Sequence, residues 1–232
     1  MLMLLQPDLT ETAANVVENE VATDTTMKFI DLALKGGWVM IPIILLSIIA
    51  VYIFFERWGA ISRASRIDIN FMNRIKDYIH EGKLDSAHAL CQSYKNPIAR
   101  MIEKGINRIG RPLNDVSAAI ENIGKLQIYQ LEKGLPILAT VAGGAPMIGF
   151  LGTVMGMIRS FIDMSKAGSN VVVSQLSSGI YQALVTTVAG LIVGILAYFA
   201  YNLLVSKVEK IIFQLEATST EFMDLLNEPA KK

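Results

Sequence analysis

The sequence predicts an all-α membrane protein: three transmembrane helices with long cytoplasmic helical extensions, the N-terminus outside and the C-terminus cytoplasmic. Three observations predict it. Of 232 residues, 52% are hydrophobic and 18% charged, against about 25% charged in an average soluble domain, and the mean hydropathy is +0.43. The missing charge is concentrated in three long runs. Outside those runs the apolar residues recur at helical spacing, and no stretch alternates as a strand would.

The elements follow in chain order. The start, "MLMLLQPDLTE", lacks a basic n-region and has too short an apolar run for a cleaved signal peptide. Residues 8–35 carry six acids against two lysines. They are read as an outer segment, either an amphipathic helix on the leaflet or a flexible arm. "GGWVMIPIILLSIIAVYIFF", residues 36–55, has no charge and matches the roughly 20 helical residues that one bilayer crossing needs. Trp38, Tyr52 and Trp58 near its ends suit interfacial anchoring.

Residues 58–134 read as helices. Phe71, Ile75 and Tyr78–Ile79 form one apolar face, and Leu84, Ala87 and Leu90–Cys91 another. "HEGKLDSA" at 80–87 is a helix–turn–helix with Gly82 closing the first helix. The stripe Ile120, Ile123–Gly124, Gln127–Ile128 and Leu131 predicts a helix running without a break into the second span. That span is "LPILATVAGGAPMIGFLGTVMGMI", residues 135–158, again uncharged. Pro136 fits its first turn and Pro146 predicts a kink inside it. The run from Ala167 to Ser206 is uncharged. It is too long for one span and too short for two, so "AGSNVVVSQ" is assigned to a loop. Val208, Ile211–Ile212, Leu215, Phe222 and Leu225–Leu226 then carry an apolar stripe onward.

The expected divisions are an outer (periplasmic) segment 1–35, transmembrane helix 36–57, cytoplasmic helical domain 58–134, transmembrane helix 135–162, outer loop 163–174, transmembrane helix 175–205 and cytoplasmic tail 206–232. Orientation follows from the cations. Lys28, Lys35, Arg159 and Lys166 fall on one side, and the other 17 of the 21 lysines and arginines on the opposite, cytoplasmic one. Of these, Arg57, Arg63, Arg66, Lys133, Lys207 and Lys210 flank the spans and are expected at the headgroups of acidic phospholipid, each worth about 1 kcal/mol near such a surface.

Several chemistries are excluded or disfavoured. The formal charge is zero, so no bulk attraction to nucleic acid arises. One cysteine, Cys91, rules out an intrachain disulfide framework. Neither a phosphate loop nor a nucleophile elbow is present. His88, Cys91 and His80 are too few for the about four ligands of a zinc site. No metal, no cofactor and no enzymatic activity are expected.

The spans are more informative. Ala142, Ala145, Gly149, Thr153, Gly156 and Ser160 lie on one helix face. Gln175, Ser178, Gln182, Thr186 and Ala189 make a polar stripe, with Ala183, Thr187, Gly190 and Gly194 beside it. Small stripes permit close helix packing, and spacing alone leaves packing and a polar pathway both open. Thr153 lies ten residues before Asp163 and Thr187 twelve after Gln175, so both sit about 15–18 Å in from the outer surface. No span has Asp, Glu, Lys, Arg or His in its interior. A proton crossing here would need a carboxylate from a partner helix.

"LATVAGGAPMIGFLGTVMGMIRSF" followed by "GIYQALVTTVAGLIVGILAYFAYN" resembles the paired signature of the MotA/TolQ/ExbB proton-channel family. The three-span, N-out layout resembles its ExbB/TolQ branch and not MotA, which has four spans. The outer N-terminal extension leans toward the ExbB type. The resemblance implies a bacterial inner-membrane motor: a homo-oligomeric (pentameric) ring around single-span partners of the ExbD type, each with a transmembrane aspartate. Proton flow then drives a TonB-type protein, or envelope constriction in the TolQ case. It places the channel hydroxyls on Thr153 and Thr187; Gln182, Thr186 and Ser178 of the polar stripe are expected to line the lumen with them. Gly149, Gly152, Gly156, Ala183, Gly190 and Gly194 are the packing residues. The family's third-span glutamate falls on Gln182, which hydrogen-bonds but does not titrate. A structural membrane scaffold is the competing reading, and a small-molecule transporter a third; a transporter would show inverted repeats or broken helices.

Overall fold

A computed structural model describes residues 36–65, 68, 70–167 and 173–227, without the side chains of residues 167 and 173–176. Every element among them is a helix: α1 Met40–Ala64, α2 Phe71–His80, α3 Leu84–Ser93, α4 Pro97–Ile106, α5 Leu113–Glu132, α6 Leu135–Ala167 and α7 Val173–Asn227. Three stretches are long and apolar enough to cross a membrane: Met40–Ala64, Leu113–Lys166 and Ser177–Asn227. The expected outer segment 1–35 lies outside the described residues, as does most of the loop before α7.

The described residues divide into two compact units, one from 36–43 and 148–190, the other from 44–147 and 191–227. In the second unit, short helices α2–α5 fold into a helical domain around one apolar core. Phe71, Ile75, Ala87, Cys91, Ile98, Met101, Ile102, Ile120, Ile211 and Phe222 are all at most 2% exposed. The helical spacing of the sequence explains this, since each short helix turns one apolar face inward. Gly82 has φ +70° and closes α2, and Glu81 and Gly82 donate back to Asp77 and Ile79 carbonyls. Asn96 caps α4 by accepting from the Ala99 N–H at 2.7 Å, and Pro97 fills the first helical position.

Phe222 anchors the distal part of α7 in this core. It is fully buried, and a Cβ on Gly105 would lie 2.6 Å from its ring. Phe222→Ala is expected to destabilise by about 3–5 kcal/mol. A lowered thermal midpoint in detergent checks it, and an unchanged midpoint contradicts this packing.

One expectation fails. α5 does not run on into α6, because Lys133 and Gly134 break the chain and Gly134 has φ +89°. Only glycine takes that conformation cheaply. Farther on, α6 continues through Pro146. Proline has no N–H for the Ala142 carbonyl. Gly194 lets α7 close on this point: a Cβ there would fall 2.6 Å from Pro146 Cδ and 3.0 Å from the Ala142 carbonyl.

Candidate functional site

The first unit is held by α6 and α7 at very short range. A Cβ on Gly149 would lie 2.9 Å from the Thr186 carbonyl oxygen and 3.2 Å from the Cα atoms of Thr187 and Gly190. One turn on, a Cβ on Gly152 would lie 2.8 Å from Thr186 Cβ, and one on Gly156 2.8 Å from Ala183 Cβ. The small stripes therefore face each other within one chain. Without them the backbones could not approach this closely.

At the edge of that interface the hydroxyls of Thr153 and Thr187 are hydrogen-bonded to each other. Thr187 also donates to the Gly149 carbonyl at 3.1 Å, and Thr153 to the same carbonyl at 3.3 Å. The depth match read from the sequence is thus realised as contact. Both side chains are half-buried, so each keeps an open side. The chemistry follows from counting. Two hydroxyl protons meet one shared carbonyl and each other, so one hydroxyl always has a lone pair to spare. Rotating one C–O bond turns an acceptor outward into a donor. The pair can therefore accept from a protonated carboxyl and donate to an ionised one, without itself titrating.

Thr186, expected on the lumen, is placed elsewhere. It is 1% exposed, donates to the Ala183 carbonyl at 2.8 Å and packs on Gly152. A residue buried within one chain cannot line a lumen formed by several. Ser160 is likewise buried and donates to the Gly156 carbonyl at 3.0 Å. Gln182 and Ser178 line a cavity of about 630 Å³ with Arg159, Asp163 and Lys166. Gln182 is five residues before Thr187, about 7.5 Å along the axis, and its amide nitrogen packs directly on Gly37, which has φ +69°. Sequence reasoning missed that glycine; its signal was the Gly36–Gly37 pair before an apolar run. Gln175 has no described side chain.

The basic flank also departs from expectation at one position. Arg57 is not free for headgroups: its side chain is 12% exposed, and it donates to the Gln130 carbonyl at 3.2 Å and to Glu56 at 2.8 Å. It caps the end of α5 instead. Lys207 sits 3.1 Å above the Trp58 ring centroid, a cation–π contact. Arg63 donates to the Gly59 carbonyl at 3.1 Å. Lys133 and Lys210 are exposed, and Arg66 lies outside the described residues.

The sequence pattern of the MotA/TolQ/ExbB proton channel family matches residues 93–217, a stretch that holds all of α6 and both threonines. The chain belongs to the MotA/TolQ/ExbB family. An ExbB-like biopolymer transport protein of Synechocystis sp. is 31% identical over 183 residues, covering 78% of this chain and 72% of the relative. The Tol-Pal system protein TolQ of Haemophilus influenzae is 26% identical over 223 residues, 88% of this chain and 96% of its own. The biopolymer transport protein ExbB of Aquifex aeolicus is 39% identical over 115 residues, 49% of this chain and 77% of its own. The family is one of membrane transport proteins and not of enzymes, and the three apolar helices with these relatives make the chain a multi-pass membrane protein.

Among the described residues no cluster of three or more His, Cys, Asp or Glu side chains could hold a metal. Cys91 is 1% exposed, and burial pushes its thiol up to about 12. It is therefore expected to resist maleimide at pH 8 in the folded protein and to react fully after denaturation, since only the thiolate is nucleophilic. Rapid labelling of the native chain would contradict the buried placement. Raised in the fold above its ordinary value, this thiol favours the folded state at neutral pH. That contribution is lost as pH climbs from the ordinary thiol range toward 12.

Proposed function

We propose that this chain is the ExbB-type subunit of an inner-membrane proton channel. It lies N-out and C-in, forms a pentameric ring, and encloses an ExbD-type partner with one transmembrane aspartate. Proton flow through the complex drives TonB-dependent outer-membrane transport. The observation that carries the reading is the Thr153–Thr187–Gly149 cluster. It is a reorientable hydrogen-bonding group at mid-span, between two spans whose interiors hold no Asp, Glu, Lys, Arg or His. The titrating group comes from the partner, and the threonines serve its carboxyl in both protonation states.

Gln182 supports the same division of labour. It replaces the glutamate that the family pattern has, so the carboxylate load falls wholly on the partner. A TolQ-type role is the second reading, favoured by the match to TolQ over nearly the full length of both chains. A structural scaffold is the third, favoured by the packing of the small stripes within one chain.

Gene deletion with complementation separates them. Loss of growth on a nutrient that needs TonB-dependent import, with normal division and envelope integrity, is the expected result. Intact import with detergent sensitivity and chained cells would transfer the protein to the TolQ role. No phenotype in either assay would favour the scaffold.

A further inference from the structure

In the second unit, a cavity of about 500 Å³ opens where α1 ends and α4 begins. Arg63 of α1, Lys95 and Asn96 of the turn, Arg100 of α4, and Gln127 and Gln130 of α5 supply its polar lining. Three of these are cations and none is a carboxylate. One acid touches the wall: Asp68 accepts from the Tyr94 hydroxyl at 3.1 Å. The N-terminal end of α4, ten residues long, borders the cavity through Asn96 and Pro97 and adds the positive end of its dipole.

Gln127 gives the independent sign of a ligand. It is only 6% exposed and lines the cavity, yet its carboxamide has no hydrogen-bond partner among the described residues. Its amide atoms stay open to the cavity, so a group that enters can accept from its NH₂.

We propose that this cavity is a binding site for a phosphate group. Arg63, Lys95 and Arg100 take up its charge, and the Gln127 amide donates to one of its oxygens. A guanidinium matches two phosphate oxygens at once, which makes arginine suited to this ligand. Arg63 lies eight residues beyond Phe55, the last residue of the first uncharged run, which is about 12 Å along the helix. The headgroup layer is about 5–8 Å deep on each side. The cavity thus stands a few Å beyond that layer, open to a soluble phosphate compound and within reach of a phosphorylated headgroup through its long cationic side chains. It does not depend on the proton-channel reading.

The test uses the full chain in nanodiscs of phosphatidylcholine, titrated calorimetrically with inorganic pyrophosphate. A second arm uses discs containing phosphatidylglycerol, with retained lipid counted by native mass spectrometry. Lys95→Gln with Arg100→Gln removes two exposed cations and leaves the core alone, and Gln127→Leu removes the amide. Lys104→Gln with Lys125→Gln makes the same charge change away from the cavity. Saturable pyrophosphate binding is expected, weakened about tenfold or more by the first pair and about threefold or more by Gln127→Leu, with the control unchanged. If pyrophosphate does not bind but retained phosphatidylglycerol is lost in the same variants, the phosphate is a headgroup's. Binding in neither arm, or an equal loss in the control, overturns the proposal.

Discussion

Replacing both Thr153 and Thr187 by valine is expected to abolish proton-driven work while the subunit still folds, assembles and co-purifies with its single-span partner. Valine matches threonine in size but offers neither donor nor acceptor. Gly149 on α6 keeps its close approach to α7, because that depends on its missing Cβ and not on the hydroxyls. What is lost is the pair of hydroxyls and their bonds to each other and to the Gly149 carbonyl. Each single variant leaves one hydroxyl on the Gly149 carbonyl and is expected to keep partial activity. Growth that depends on TonB-driven import is the measurement, with co-purification as the control for assembly. Full activity in the assembled double variant would reduce the hydroxyls to packing groups and favour the scaffold.

Gly149→Val is expected to have the second large effect, by a different route. The added carbons would fall on the Thr186 carbonyl and the Thr187 and Gly190 backbone, which cannot swing aside as a side chain end can. Overpacking of this kind costs about 1–3 kcal/mol, and relief requires α6 and α7 to separate. Separation also breaks the bond from Thr187 to the Gly149 carbonyl, at 3.1 Å. Stability and activity should therefore fall together, unlike in the threonine variant. Gly143 and Gly144 are the comparison, since a Cβ at either meets nothing within 4 Å in a single chain. Alanine there should leave the isolated subunit folded. Thermal unfolding in detergent reads both cases; equal midpoints for Gly149→Val and Gly144→Ala would contradict the close approach.

Much of this arrangement was legible in the sequence. Uncharged runs of crossing length locate the spans whatever their neighbours do, because lipid tolerates little else. The turn at Gly82 showed itself as a glycine between two apolar periodicities. For Thr153 and Thr187 the sequence showed a shared depth, ten residues from Asp163 and twelve from Gln175, but not the contact. The break before α6 was not legible, since Ile120, Ile123, Gln127 and Leu131 keep one stripe up to it. Gly134 acts through its positive φ, and a lone glycine beside an apolar run does not announce that. Thr186 and Thr187 illustrate a finer limit. Adjacent on a helix, they differ by about 100° of rotation, and only the contact with Gly152 settles which one is buried. Arg57 shows the same for charge: its position suggested headgroups, but the freed carbonyl of Gln130 at the end of α5 captured it.

The central claim is that the hydroxyl pair meets the partner's acidic group. Disulfide crosslinking between Thr187→Cys and a cysteine placed at the partner's transmembrane aspartate tests it most directly, and buried Cys91 provides a silent background. A crosslink formed in membranes at position 187, and absent from position 196, where Leu196 is 66% exposed on the single chain, is the predicted result. No crosslink at 187 from an assembled complex, with position 187 labelled only by lipid-soluble reagents, would contradict the account.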